Sequence, residues 1–126
     1  MPLRIANGAG FLGDSLDAPR RLVESAEVDY LTIEHLAELT LSILAYQRSK
    51  DPNTGYASDF LDIVDSLCPA LASQSQLRIV ANSGGMNPEG CARAVAKLLV
   101  QHGFGDLSLG VVTGDDLLQE IEGLRK

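Results

Sequence analysis

Short apolar runs rich in β-branched residues alternate along this chain with longer segments in which apolar residues recur every three or four positions. Runs of the first kind are typical of buried strands, and segments of the second kind are typical of amphipathic helices. The pattern predicts four strands, at residues 3–7, 28–34, 77–82 and 107–112. Helical segments separate them.

The helix boundaries carry their own signals. Asp17-Ala18-Pro19 and Asn87-Pro88-Glu89 each join a capping residue to an early proline, which is typical of helix starts. They predict one helix to about residue 26 and another that ends at His102-Gly103. Apolar periodicity predicts two helices between the second and third strands. We expect the first, over residues 36–47, to be largely buried, and the second to kink or end at Pro69.

This order of elements predicts one α/β domain over residues 1–126. Alternating strands and helices favour an open, mostly parallel, doubly wound sheet of flavodoxin-like or Rossmann-like type with right-handed crossovers. We expect at least four strands, in the order 2-1-3-4. Because a fifth strand would be needed to cover the sheet edge, the chain is interpreted as the N-terminal portion of a longer protein.

Composition narrows the classes of partner. Ten basic residues against seventeen acidic ones give a net charge of −7, and the basic residues are scattered, which argues against nucleic acid as a partner. No apolar run approaches the length of a membrane span, and no signal peptide is recognisable, so we expect no membrane partner and a cytoplasmic location. The two cysteines, Cys68 and Cys91, lie among apolar residues of predicted helices and are expected to be buried free thiols.

The first glycine motif also allows an alternative interpretation, in which the chain is a nucleotide-binding domain. Residues 8–13 match the G-x-G-x-x-G fingerprint after a strand, and Glu34 follows about twenty residues later. In the dinucleotide fold, however, the helix begins inside the motif, whereas Asp17 and Pro19 place the helix start beyond Gly13. NAD is therefore not the expected cofactor, and these glycines serve equally well in a turn with positive φ.

A second strand ends in Asn82-Ser83-Gly84-Gly85, as the first ends in Asn7-Gly8. Carboxyl ends of parallel strands and helix N-termini meet at one sheet edge, which predicts a site there for an anionic small molecule. The candidate ligand-binding residues are Asn7, Gly8, Gly10, Asp14, Asn82, Ser83, Gly84, Gly85, Asn87, Thr113, Gly114 and Asp116, and the candidate catalytic residues are Glu34, His35 and Asp115.

Carboxylates from three loops could hold Mg²⁺ or act as acid and base, so a metal is left open. Each candidate also has a structural alternative. Asn87 and Asp115 are well placed to cap helices, and Asp14 to close a turn. Asn82 and His35 have no evident capping role.

Several motifs together resemble one known family. They are Asn7-Gly8-Ala9-Gly10-Phe11 with Gly13-Asp14, Glu34-His35-Leu36-Ala37-Glu38, Asp51-Pro52-Asn53-Thr54-Gly55-Tyr56, Asn82-Ser83-Gly84-Gly85-Met86-Asn87-Pro88 and Val112-Thr113-Gly114-Asp115-Asp116. In this order they resemble the N-terminal part of the acyclic terpene utilisation A family, over about residues 4–116. Five motifs in one order are more specific than the glycine fingerprint alone.

The resemblance implies a pathway and leaves the reaction class open. Members of the family are linked to the breakdown of acyclic terpenes such as citronellol and geraniol. The resemblance thus implies that the chain is the N-terminal domain of a catabolic protein and part of an enzyme. The expected substrates are terpenoid acids or their coenzyme A thioesters. The alternative is a non-catalytic binding or assembly module whose open sheet edge docks on another subunit. Either role implies a homo-oligomer or association with a further domain or subunit.

Overall fold

Three short parallel strands form the centre of the structure. They are β1 (Ile5–Ala9), β2 (Tyr30–Ile33) and β3 (Arg78–Ala81). The computed structural model describes residues 1–125, so the last residue of the predicted domain, Lys126, lies outside them. The longer helices are α1 (Ala18–Ser25), α2 (Glu38–Lys50), α3 (Asp59–Ser73) and α4 (Pro88–Gln101). A 3₁₀ turn (Leu118–Glu120) and the short α5 (Ile121–Leu124) follow.

The strand order is 1-2-3, so the predicted order 2-1-3-4 is wrong. β2 lies between the other two strands, and its Leu31 pairs with Ala6 of β1 and with Ile79 of β3. Leu31 and Ile33 of β2 are almost completely buried, whereas the residues that pair with Leu31, Ala6 of β1 and Ile79 of β3, are only partly buried. The strand with the most completely buried side chains thus occupies the centre.

The predicted fourth strand is not formed. Residues 107–112 have no regular secondary structure and do not pair with β3, although they run along a cleft beside it. Leu107, Leu109 and Val111 are each close to half exposed. Gly110 interrupts the segment, and a glycine within a strand weakens it because it adds backbone entropy and no side-chain packing. The alternation of the sequence is thus real, but nothing in the described chain pairs with it.

Two apolar clusters meet at α3. The first joins α1, β2 and α3 through Val23, Leu31 and Leu67, and the second joins α3 to α4. Cys68 and Cys91 belong to the second cluster as buried free thiols, as predicted. The prediction was that α3 kinks or ends at Pro69; the helix does not end there, because it continues through Pro69 to Ser73. Pro69 is exposed, which places its ring on the solvent side of the helix.

The predicted helix starts of α1 and α4 are confirmed. α1 begins at Ala18 with proline in its first turn, and the Asn87 side chain caps α4 by accepting the Gly90 N–H at 3.0 Å. α4 ends at Gln101, and Gly103, two residues further on, has φ of +81°, the left-handed conformation that glycine favours after a helix. None of the helices within residues 1–125 has both the length and the apolar character needed to cross a membrane.

Helix α2 is not buried as predicted. Only Thr40 and Leu44 are buried, while Leu39 and Tyr46 are 73% and 66% exposed. Within the described residues, α2 packs against no other helix or strand. Its contacts are with loops, as where the Arg48 guanidinium donates to the Met86 carbonyl. The apolar periodicity of α2 was interpreted as core-facing, and the structure leaves most of it uncovered.

Candidate functional site

Four polar residues form a connected cluster where β2 and β3 end. Glu34 and His35 follow β2, and Asn82 and Ser83 follow β3; these four are called the carboxyl-end cluster below. Asn82 Oδ1 accepts the His35 backbone N–H at 2.8 Å, and its Nδ2 donates to Glu34 Oε1 at 2.5 Å. Ser83 Oγ lies 3.0 Å from His35 Nδ1. Adjacent parallel strands thus bring both predicted motifs together.

The pKa values of the two titratable groups of this cluster, Glu34 and His35, are both lowered, but for different reasons. Hydrogen bonds from Asn82 and from the Leu36 N–H lower the pKa of the exposed Glu34 carboxyl. Burial lowers the pKa of His35, which is 1% exposed, against the opposing charges of Asp59 and nearby carboxylates. At neutral pH the cluster therefore holds an ionised carboxylate beside a neutral imidazole.

Accessibility limits the chemistry of the cluster. Ser83 is fully buried and His35 nearly so, and neither meets a ligand without movement of the loops around it. Within residues 1–125, no buried side-chain nitrogen or oxygen lacks a hydrogen-bond partner. A fully satisfied buried network rigidifies the structure around it. His35 and Ser83 accordingly brace the site, and Glu34 and Asn82 are its members closer to solvent.

The loop after β1 closes on itself. Asp14 accepts the Gly10 and Ser15 N–H groups at 2.9 and 2.7 Å, and these bonds lower the pKa of its carboxyl. Asn7 Oδ1 accepts the Thr32 hydroxyl at 2.8 Å. The predicted strand order required this loop to face the Asn82 turn across a crevice. It does not, because β2 lies between β1 and β3.

The glycines act mainly through close packing. A Cβ at Gly8 would lie 3.0 Å from Pro19 Cβ, and one at Gly84 would lie 2.8 Å from Pro88 Cα. In the first loop, φ is positive at Gly13, at +89°. Dinucleotide binding requires the helix N-terminus to lie within the glycine motif. Because α1 starts beyond Gly13, its N-terminus lies outside the motif.

Asn87 ties α4 to the loop after α2. Besides capping Gly90, it donates through Nδ2 to the carbonyls of Pro52 and Thr54, at 3.2 and 2.9 Å. The side chain is only 6% exposed. Its amide thus uses both donors and its acceptor within the protein, which is the structural alternative foreseen for it.

Thr113, Gly114, Asp115 and Asp116 line a cleft of about 360 Å³ together with Arg48. Asp116 Oδ1 accepts the Leu118 N–H at 3.1 Å, at the start of the 3₁₀ turn. The cap position of that turn is Leu117, so the capping role predicted for Asp115 is wrong. This cleft adjoins the start of α4, and Gly85 lies on its border with the larger cleft described below.

The carboxylates nominated for Mg²⁺ do not assemble into a ligand set. In the part of the chain that the structure describes, no group of three or more His, Cys, Asp or Glu side chains is placed to hold a metal ion. Asp14 is engaged in its own loop, and Glu34 is bonded to Asn82. We therefore derive no metal chemistry from these residues.

A larger cleft of about 800 Å³ lies between the free edge of β3, α4 and residues 107–112. Its lining is mostly apolar, with Ile79, Val95 and Leu109 among the contributors, and its charged residues are Arg78 and Asp115. Sequence reasoning missed this cleft because it assigned residues 107–112 to a strand that would have closed it. Gly110, inside that run, was the available signal.

Polar groups stand at the carboxyl end of the large cleft. Asn82 and Gly84 line it there. Gly85 N–H donates to the Asn82 carbonyl at 3.2 Å, whereas Gly84 N–H has no acceptor within the described residues. Asn82 keeps one Nδ2 hydrogen beyond the one that it gives to Glu34. Two donors are thus left for a ligand at this end.

These features define an α/β protein with a small parallel sheet, a braced polar cluster at its carboxyl edge and an adjoining apolar cleft. The chain belongs to the AtuA family: the family described as "Acyclic terpene utilisation family protein AtuA" matches residues 3–126, essentially the whole chain. The predicted family resemblance is thereby confirmed. No curated protein and no solved structure matches the chain.

Proposed function

We propose that this chain takes part in acyclic terpenoid breakdown by binding an acyclic terpenoid acid in the large cleft. Its apolar chain would follow the edge of β3, and its carboxylate would lie at the end formed by Asn82 and Gly84. The observation that carries the proposal is the cleft itself, which is large, mostly apolar and polar where Asn82 and Gly84 line it. Family membership supplies the substrate class.

Size and lining support this ligand class. Small-molecule sites typically enclose about 300–1,000 Å³ and combine an apolar wall with a few polar groups, and a cleft of about 800 Å³ falls in that range. An acyclic chain contains no ring and can lie extended along a straight strand edge. Each methylene buried against Ile79, Val95 and Leu109 contributes about 0.8 kcal/mol.

The cleft presents both favourable and unfavourable charges to the carboxylate of the ligand. The Gly84 N–H, the Asn82 amide and the positive end of the α4 dipole favour an anion. The Asp115 carboxylate, on the same lining, opposes it. Asp115→Asn should therefore strengthen binding of the free acid. If the ligand instead lay reversed, with its carboxylate on Arg78, Arg78→Gln would weaken binding and Asp115→Asn would have little effect.

Calorimetric titration with the acid derived from geraniol tests the proposal, with its coenzyme A thioester as a second ligand. The wild-type protein should bind at least one of the two forms. Leu109→Asp should weaken that binding at least tenfold, because it places a charge on the apolar wall at a half-exposed position that tolerates a polar residue. Val100→Asp is the matched control, since Val100 is exposed on α4 and does not line the cleft.

The pathway assignment has a separate test in cells. Deletion of the gene should abolish growth on geraniol or citronellol, the wild-type gene should restore it, and the Leu109→Asp gene should not. Unchanged growth of the deletion strain would contradict the pathway. If the protein binds the acid but its deletion causes no growth defect, the cleft remains a ligand site and its link to terpenoid breakdown is removed.

A further inference from the structure

Helix α2 carries an apolar stripe that the described residues leave uncovered. Leu39, Ile43 and Tyr46 are 73%, 41% and 66% exposed. Their spacing of four and three residues places them on one face, which Lys50 continues at the C-terminal end. Scattered exposed apolar residues are ordinary, but three large ones in register on one helix mark an interaction surface.

The attachment of α2 to the rest of the protein is also slight. Thr40 and Leu44, on another face, are its buried residues, and Leu44 lies against the loop at Gly85. A helix of 13 residues is marginally stable in water without packing. A partner that covers the stripe would stabilise both the helix and the loops that it holds, including the turn at Gly85, which lies against Leu44.

The geometry points to a second copy of this chain as that partner, with the two α2 helices antiparallel about a two-fold axis. In this arrangement Leu39 packs against Tyr46 of the partner subunit, and Ile43 lies near the axis. Charge supports self-pairing. Glu38 is the acidic residue of the first turn and Lys50 a basic residue of the last turn, whereas Arg48 lies on the opposite face and donates to the Met86 carbonyl.

Antiparallel pairing brings the Glu38 end of each helix to the Lys50 end of the other, and it also opposes the two helix dipoles favourably. Parallel pairing would instead place like charges together. Lys50 Nζ lies 5.2 Å from the centroid of the Tyr46 ring, so this cation already borders the stripe. The surface is thus complementary to itself, as a two-fold interface must be.

The interface is short, because a 13-residue helix spans only about 20 Å. Interfaces of this size associate weakly, so dimerisation should depend on protein concentration. Sedimentation equilibrium on the full chain should give a mass that rises from one chain of 13.4 kDa toward two chains as concentration increases.

Two variants distinguish dimerisation through this surface from non-specific association. Ile43→Glu should hold the protein at the mass of one chain, because it buries two charges near the axis. Val100→Glu introduces the same change at a position 63% exposed on another helix and should dimerise as wild type does. A mass of one chain for the wild type at every concentration would overturn the inference, and so would unchanged dimerisation of Ile43→Glu.

Charge reversal tests the antiparallel arrangement itself. Glu38→Lys and Lys50→Glu should each weaken dimerisation several-fold, because each opposes like charges across the interface. The double variant restores opposite charges and should regain most of the wild-type affinity. Circular dichroism checks that all three variants keep their helix content. Additive weakening in the double variant, with helix content intact, would overturn the antiparallel pairing.

Discussion

Asn82 holds the backbone of His35: its Oδ1 accepts the His35 N–H at 2.8 Å, across the ends of two adjacent strands. The same amide donates to Glu34 at 2.5 Å and so also fixes the carboxylate that precedes His35. One side chain therefore couples the two residues that follow β2 to the turn that leads into α4. Asn82 also lines the large cleft, and its amide keeps a second Nδ2 hydrogen.

Asn82→Ala should destabilise the fold by about 1–3 kcal/mol, since it leaves the His35 N–H without its acceptor. Urea unfolding measures the loss, and ligand titration of the folded fraction measures binding separately. An unchanged unfolding midpoint would show that Asn82 is not a brace.

Gly85→Ala should cost about 1–3 kcal/mol. Gly85 has φ of +51°, and a Cβ there would overlap the Leu44 side chain and approach the Gly55 carbonyl oxygen to 3.1 Å. Gly10→Ala is the matched control. Its φ is not positive, and its added Cβ would make an ordinary contact of 3.7 Å with Asp14, so its thermal midpoint should stay close to wild type. Equal effects of the two substitutions would contradict the assigned role of Gly85.

The stability of the protein should fall as pH drops below the ordinary pKa of imidazole. Burial lowers the pKa of His35 in the folded state, so the unfolded chain binds the proton first and gains stability from it. His35→Gln should flatten this part of the profile of unfolding free energy against pH. Glu34, whose pKa is also lowered, adds a further decline in more acidic solution. A profile for His35→Gln that parallels wild type would contradict the assignment.

Both cysteines should resist thiol reagents in the folded protein. Burial raises the pKa of Cys91 to about 11 and also raises that of Cys68, and the thiolate is the reactive form. Reaction with a chromogenic disulfide at neutral pH should therefore be slow until denaturant is added. Rapid labelling of either thiol under native conditions would place it outside the core between α3 and α4.

Local signals predicted much of this fold, and long-range ones did not. The caps at α1 and α4 depend on neighbouring residues, and both helices start where those residues indicate. Strand order depends on which strand has the most completely buried side chains. That property is not evident in runs of similar composition, so β2 was misplaced. Periodicity marks an apolar face but does not identify its partner, which is why α2 was assigned to the core.

The candidate site was predicted in the same partial way. Glu34, His35, Asn82 and Ser83 follow strand ends, and parallel pairing of β2 and β3 brought them into contact. Asn7 lies within β1 and Asp14 in the loop that follows it, and the intervening β2 keeps both apart from Asn82. The large cleft was missed, because it exists only where residues 107–112 fail to pair with β3, and Gly110 was the one local signal of that failure.

The central claim is that a terpenoid acid occupies the cleft beside β3, and an NMR titration of isotope-labelled protein tests it most directly. Adding the geraniol-derived acid should shift the backbone amide signals of residues 79–84 and 107–112, and should leave those of residues 7–14 unchanged. Val100→Asp should give the same pattern, and Leu109→Asp should lose it. Shifts confined to the first glycine loop, or no shifts at saturating acid and thioester, would contradict the claim.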